Sequence, residues 1–263
     1  MKSINANLFS EVLSEEKGQK LVVYDLSRSG QSELHNYRYL KDLYDQGRMP
    51  KNILMIFSKY SQNYHPTLHT FATSSDIRTI TFSHTQIPVT EKLQDFLRLH
   101  IKKFFFHIQN FIENTPSPNT KKKNHFHVNG SYDCSDESLV RPELILNVFN
   151  ERDEYYKSDQ AWDFMNEEYQ RGNLYIQMVI DLAKENGTNV FLYWPTRFFR
   201  KPLSERFRKE VESYFDVPFL VQDSAIVEKL YQKKYYADRN HLTPNGTDLF
   251  TKWIVRELLH YER

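Results

Sequence analysis

The sequence predicts an α/β fold in which a parallel sheet is flanked by helices. Short apolar runs rich in β-branched residues recur along the chain, and each has the length of a strand. Between them lie longer segments whose apolar residues repeat at helical spacing. Parallel strands need a crossover connection, which usually contains a helix, so this alternation favours a parallel sheet. We therefore expect a single α/β domain over residues 1–263, with an insertion at about residues 64–160.

The composition narrows the classes of function. Of the 263 residues, 40% are hydrophobic, which suffices for one large domain with an apolar core. The formal net charge of +1 gives no reason to expect nucleic-acid binding. Cys134 is the single cysteine, so neither an internal disulfide framework nor a multi-cysteine metal site is expected. No signal peptide and no apolar run of about 18 residues is present. As it stands, the chain therefore predicts a soluble, cytoplasmic protein without a membrane span.

The first sixty residues predict a strand–helix–strand unit preceded by a helix. Apolar residues over 8–13 indicate a short helix that ends near Gly18. The run Leu21–Asp25 is short and β-branched, as a buried strand would be. A helix is expected over Glu33–Tyr44 and a second buried strand over Ile53–Phe57. With this spacing the two strands should be parallel.

The middle of the chain is predicted to be an insertion into this fold. Three histidines near its start fit no standard metal-ligand spacing. Residues 91–113 predict a helix with a wide apolar stripe, which we expect to pack on the core. A lid over the site, or a face for a partner or a membrane surface, is the alternative for this helix. Lys121–Lys123 fall in an expected exposed loop, and nucleic-acid binding through them ranks last among the hypotheses.

The remainder of the chain continues the alternation of helices and strands. Turn signals such as Gly187 and Pro195 bound the apolar runs. The predicted elements are a helix over Asn166–Asn186, a strand over Asn189–Pro195, a basic amphipathic helix over Arg197–Tyr214, a strand over Val217–Val221 and a helix over Ala225–Lys234.

An acid and a histidine stand just before the last predicted helix. Thr243 is a suitable N-cap and Pro244 suits the first helical position, so this helix should hold the preceding loop still. Asp238 would accept a hydrogen bond from one ring nitrogen of His241 and leave the other nitrogen to take a proton. The alternative is that the two side chains cap the helix and pair on the surface.

The stretch from Asp238 to Gly246, in which His-Leu-Thr-Pro-x-Gly leads into the terminal helix, resembles the last conserved block of the SGNH (GDSL-like) hydrolase and acyltransferase superfamily. The chain looks most like bacterial members of that superfamily. The resemblance covers about residues 8–60 and 170–259. It implies serine-based acyl-ester chemistry, either hydrolysis or O-acyl transfer, on a small-molecule or glycan ester. It implies no metal and no organic cofactor.

The resemblance also implies roles for individual residues. His241 would be the general base and Asp238 the residue that orients it. The turn Val23-Tyr-Asp-Leu-Ser-Arg-Ser-Gly30 resembles the second block of the superfamily, which ends in a glycine. The N–H of Gly30 is therefore the expected oxyanion donor. A plain turn glycine is the alternative for this position.

Two departures from the superfamily pattern concern the other parts of such a site. Where the superfamily usually has Gly-x-Asn-Asp, this chain has Ser58-Lys-Tyr-Ser-Gln-Asn63. No apolar strand ending in Gly-Asp-Ser or Gly-Ser-Ser precedes Ser3, which is where the nucleophile would belong. Either the true start lies upstream of Met1, which we prefer, or Ser3 is the nucleophile.

These departures shape the expected function. With the nucleophile strand missing, the 263-residue chain is expected to be an inactive, truncated form of an SGNH-type esterase or O-acyltransferase. A segment upstream of Met1 would also carry any membrane anchor or export signal, which would place the protein in the cell envelope. The alternative function is a non-catalytic binding or envelope-assembly protein that keeps the fold.

Overall fold

The computed structural model describes residues 4–26, 33–58, 163–195, 203–236 and 242–261, together with the isolated helical positions 90, 97 and 101. The predicted insertion therefore lies almost wholly outside the described residues, and so does most of the helix expected over residues 91–113. Neither the helix nor its alternative as a lid or interface is tested.

The described residues form helices and strands close to the predicted positions. The helices are α1 (Ala6–Lys17), α2 (Glu33–Asp45), α3 (Glu167–Glu185), α4 (Glu205–Phe215), α5 (Ser224–Leu230) and α6 (Pro244–Tyr261), and a 3-10 turn covers Lys233–Tyr235. The strands are β1 (Asn52–Ile56), β2 (Asn189–Tyr193) and β3 (Phe219–Leu220). The helix predicted to end at Lys234 stops at Leu230, and the 3-10 turn follows it.

The three strands form one parallel sheet in the order β1-β2-β3. Asn52 pairs with Asn189 and Ile56 pairs with Tyr193, so β1 and β2 are in register along their whole length. The strand β3 is shorter and pairs only with the last part of β2. The prediction of an α/β fold with parallel strands is thus confirmed.

Alternate residues of each strand contribute to two separate cores. Ile53 and Met55 belong to a cluster formed with α2, α3 and α4 on one face of the sheet. Leu54 and Ile56 pack against a second cluster, which contains residues of α1, α5 and α6. Both faces are therefore covered by helices, which is why the strands are apolar runs and not alternating ones. None of the helices in the described part of the chain is long and apolar enough to cross a bilayer.

Phe57, directly after β1, is the centre of the first core. Its side chain is fully buried. Its ring makes edge-to-face contacts with Phe164, Phe215 and Phe219 at centroid distances of 5.7, 5.5 and 5.3 Å. These contacts join the end of β1 to the start of α3, the end of α4 and the start of β3, so one side chain positions three elements.

The strand predicted at Leu21–Asp25 is absent from the sheet, and this prediction was wrong. The backbone N–H of Leu21 donates to the hydroxyl of Ser14 at 2.8 Å, and that of Val23 donates to the hydroxyl of Ser10 at 2.9 Å. Both serines belong to α1. Their hydroxyls compete with a neighbouring strand for the same backbone groups, so this segment docks on the helix.

Candidate functional site

The carboxyl ends of the three strands meet at one edge of the sheet, because the strands are parallel. Ligands in open α/β sheets bind outside this edge. Helix α4 leaves the end of β2 and α5 leaves the end of β3, so both helices begin here. Helix N-termini carry partial positive charge, which favours an anion or a developing oxyanion at this edge.

Helix α6 also begins at the carboxyl edge. The ring of Phe250, in its first half, lies 6.3 Å from that of Tyr193 at the end of β2, measured between centroids. The ring of Tyr261, the last residue of the helix, lies 6.5 Å from that of Phe191, nearer the start of β2. The helix therefore runs antiparallel to β2 and brings the loop before it to the edge where a ligand would bind.

A short antiparallel bridge closes the loop that carries Asp238 and His241. Tyr236 pairs with Leu242 across the base of the loop. Their exposed fractions are 3% and 2%, so both ends of the loop are anchored in the core. The positions of Asp238 and His241 lie outside the described residues. The structure thus places the base of their loop at the carboxyl edge, and the contact between the two side chains stays a prediction.

Thr243 and Gly246 fasten this loop to the preceding turn. The hydroxyl of Thr243 accepts a hydrogen bond from the N–H of Gly246 at 3.4 Å, which confirms the predicted N-cap. The same hydroxyl donates to the carbonyl of Lys234 at 2.8 Å, and the Thr243 N–H donates to the carbonyl of Tyr235 at 2.9 Å. A Cβ at Gly246 would lie 2.3 Å from that Tyr235 carbonyl oxygen. Glycine is therefore required for this close approach.

Tyr193 supplies a neutral, buried phenol at the carboxyl end of β2. Burial raises its pKa far above the usual range, and the negative charge of Asp25 raises it further. The side chain therefore stays protonated at physiological pH. The charge of Asp25 acts on Tyr193, so Asp25 lies near the carboxyl end of β2.

Gly30, the expected oxyanion donor, lies outside the described residues. The description of the chain resumes at Glu33, where α2 begins. The exposed fraction of Glu33 is only 2%, and its carboxylate accepts a hydrogen bond from the Asn36 amide at 2.7 Å. A buried carboxylate at this edge was not expected from the sequence, because an acidic residue in a first helical turn usually serves the helix dipole from the surface.

Gln222 is a further polar residue of this edge that the sequence interpretation missed. Its side-chain amide donates to the carbonyl of Trp194 at 2.6 Å and ties the end of β3 to the end of β2. Ser58, after β1, is also buried, with an exposed fraction of 4%. The available signal was position alone, because both are polar residues that directly follow a buried strand.

The described residues include no group of three or more His, Cys, Asp or Glu side chains arranged to hold a metal ion. Comparison of the chain with protein-family models, with curated proteins and with solved structures finds no match. The function is therefore inferred from the fold and the local geometry alone.

Proposed function

We propose that the carboxyl edge of the sheet carries out serine-type acyl-ester chemistry of the SGNH kind, as hydrolysis or as O-acyl transfer. The observation that supports this most is the Tyr236–Leu242 bridge, which holds the loop of Asp238 and His241 at the N-terminus of α6. A general base on a loop that is anchored at both ends is held in one place without being part of a helix or strand. The proposed substrate class is a small-molecule or glycan acyl ester.

Each proposed residue has one role in the reaction. His241 takes the proton of a serine hydroxyl while the serine oxygen bonds to the acyl carbon, and Asp238 accepts a hydrogen bond from the other ring nitrogen. The N–H of Gly30 stabilises the oxyanion of the tetrahedral intermediate. The proton then passes to the leaving oxygen as the ester bond breaks. Water or an acceptor alcohol next attacks the acyl carbon of the acyl-serine while His241 takes its proton. The proton returns to the serine oxygen as the acyl–serine bond breaks, which gives the acid or a new ester.

The acid–base pair is tested without knowledge of the nucleophile. Nuclear magnetic resonance would follow the titration of His241 in the wild type and in Asp238→Asn. The carboxylate of Asp238 favours the charged imidazolium, so Asp238→Asn should lower the pKa of His241. The matched control is Asp216→Asn, which removes a carboxylate from the opposite edge of the sheet and should leave His241 unchanged. An identical titration curve in Asp238→Asn would refute the pair.

The source of the serine is tested by activity and labelling. The 263-residue chain is expected to show no turnover of short-chain aryl esters and no labelling by a fluorophosphonate, because it contains no Gly-Asp-Ser or Gly-Ser-Ser motif. Turnover that disappears in both His241→Ala and Ser3→Ala would assign the serine to Ser3 instead.

The second candidate is a non-catalytic binding or envelope-assembly protein. One observation favours it: the segment at residues 21–26, which corresponds to a sheet strand in the resembled fold, lies outside the sheet. This candidate predicts that the pKa of His241 does not respond to Asp238→Asn.

A further inference from the structure

Tyr193 ends the central strand β2 with a hydroxyl that has no hydrogen-bond partner among the described residues. Its side chain is 5% exposed and belongs to the second core, where its ring packs near that of Phe250. Buried hydroxyls in proteins are almost always hydrogen-bonded. This one stands at the edge of the sheet where ligands bind, so it is available to a ligand.

The start of α1 is fastened to the first half of α6. The backbone N–H of Asn5 donates to the hydroxyl of Thr251 at 2.9 Å. The side-chain amide of Asn5 donates to the carboxylate of Asp248 at 3.0 Å. Because the first half of α6 lies at the carboxyl edge, the start of α1 lies beside that edge too.

The segment that follows α1 runs back along this helix toward its start. The N–H of Leu21 donates to the hydroxyl of Ser14. That of Val23 donates to the hydroxyl of Ser10, which lies one helical turn nearer the start of α1. Asp25 comes two residues later and therefore lies still closer to the carboxyl edge.

The side chain of Asp25 faces inward, toward the second core. Residues 21, 23 and 25 are half-buried, whereas residues 22, 24 and 26 are exposed. Val23 packs against the second core, and alternate side chains of an extended chain point to the same side. The negative charge of Asp25 raises the pKa of the Tyr193 phenol, which agrees with this position. No hydrogen bond joins the two side chains.

We propose that Tyr193 and Asp25 together bind a hydroxyl group of a neutral ligand, such as a sugar, at the carboxyl end of β2. The phenol donates to the ligand oxygen, and the carboxylate accepts from the ligand O–H. A hydroxyl suits both partners because it donates and accepts at once. An anionic group is disfavoured here, because the carboxylate of Asp25 repels it.

The choice of a hydroxyl over an ammonium group, which also donates to a carboxylate, rests on the proposed function. In that function an alcohol is the acyl acceptor. A hydroxyl held by Tyr193 and Asp25 is that acceptor, so this subsite favours O-acyl transfer to a sugar or another polyol over hydrolysis.

Saturation-transfer nuclear magnetic resonance with methyl glucoside as the probe tests the subsite with the full chain. The wild type should bind the probe. Tyr193→Phe and Asp25→Ala should each raise the dissociation constant at least about tenfold. The matched control is Tyr261→Phe, the same substitution at the opposite edge of the sheet, which should leave the constant within about twofold. A wild type that does not bind the probe, or a Tyr193→Phe variant that binds it equally well, overturns the proposal.

Two charged sugars test the chemical class of the ligand. Glucuronate carries a carboxylate and glucosamine carries an ammonium group, and both should bind more weakly than methyl glucoside. Tighter binding of either one overturns the choice of a neutral hydroxyl. Binding is measured without turnover, so its outcome is separate from that of the His241 titration. A failed titration would refute the acid–base pair alone, and failed binding would refute this subsite alone.

Thermal unfolding without any ligand tests whether the phenol is free within the chain. Tyr193→Phe keeps the ring and removes a hydroxyl that has no partner among the described residues. Its melting temperature should therefore be no lower than that of the wild type. A clear decrease would show that the hydroxyl is already bonded within the folded chain, which would overturn the proposal.

Discussion

The two edges of the sheet are built differently. At the amino edge, α3 reaches β2 through residues 186–188 and α4 reaches β3 through residues 216–218. Gly187 and Asp216 take left-handed conformations there, with φ of 65° and 53°, and turn the chain at once. At the carboxyl edge, the connection from β1 to α3 extends over residues 57–166. The longest connection thus lies at the edge where open α/β sheets bind ligands, whereas these two turns at the amino edge are tight.

The amino edge also shows that a cavity alone is weak evidence of a site. A cavity of about 530 Å³ lies there, and its lining includes Lys17, Lys184, Asp216 and Tyr261. These four residues stand at the carboxyl ends of α1, α3, α4 and α6, where partial negative charge accumulates. The lysines offset that charge, and Lys184 also pairs with Asp216 at 2.8 Å. The helix ends account for this concentration of charge without any ligand.

The largest effect is expected where the carboxyl edge rests on its aromatic core. Phe57→Ala should lower the free energy of unfolding by about 3–5 kcal/mol, because it leaves a cavity among three aromatic rings. Urea denaturation monitored by circular dichroism would measure the loss. Phe57→Leu is the matched control and should cost clearly less. Equal losses in the two variants would show that the rings do not position this edge.

Two glycines at opposite edges of the sheet should respond differently to the same substitution. Gly246→Ala should cost about 1–3 kcal/mol, because its Cβ would meet the Tyr235 carbonyl oxygen. No atom lies within 4 Å of a Cβ at Gly187, so Gly187→Asn, which tolerates the left-handed conformation, should be nearly neutral. Thermal unfolding of Gly246→Asn and Gly187→Asn provides the direct contrast. A tolerated Gly246→Asn would contradict the close approach.

The buried phenols predict a loss of stability at high pH. Burial raises the pKa of Tyr193 and of Tyr236. Below about pH 10 both tyrosines are protonated in the folded and unfolded states, and their contribution is fully present. Above it the unfolded chain loses protons first, so stability should fall by about 1.4 kcal/mol per pH unit for each phenol. Urea denaturation between pH 9 and about 11.5 would measure the slope, which Tyr193→Phe should reduce.

The smallest effect is expected at the amino edge. The hydroxyl of Thr188 donates to the carbonyl of Pro50 at 2.7 Å and joins the starts of β1 and β2. Thr188→Val keeps the shape and removes this bond, which should cost about 1 kcal/mol. It should leave the titration of His241 unchanged, since the bond lies at the edge away from the proposed site. A shift in that titration would show that the two edges are coupled.

Much of the fold could be predicted from the sequence. The helical periodicity of α3 and α6 and the apolar runs of β1 and β2 were visible in the sequence. Each of these segments must bury its apolar side chains, whichever element it packs against. The cap at Thr243 was predictable because it involves residues a few positions apart. Asp238, His241 and Gly30 were likewise chosen from local motifs, and their roles stay predictions because all three lie outside the described residues.

The features that could not be predicted depend on contacts between residues that are far apart in the sequence. The run at Leu21–Asp25 has the composition of a strand, but two serines of α1 bind its backbone. Gln222 donates a hydrogen bond to the carbonyl of Trp194, and the carbonyl oxygen of Tyr235 leaves no room for a Cβ at Gly246. A sequence pattern states which side chains seek burial, because burial is a property of each residue. Which backbone groups meet is a property of pairs, and folding brings those pairs together.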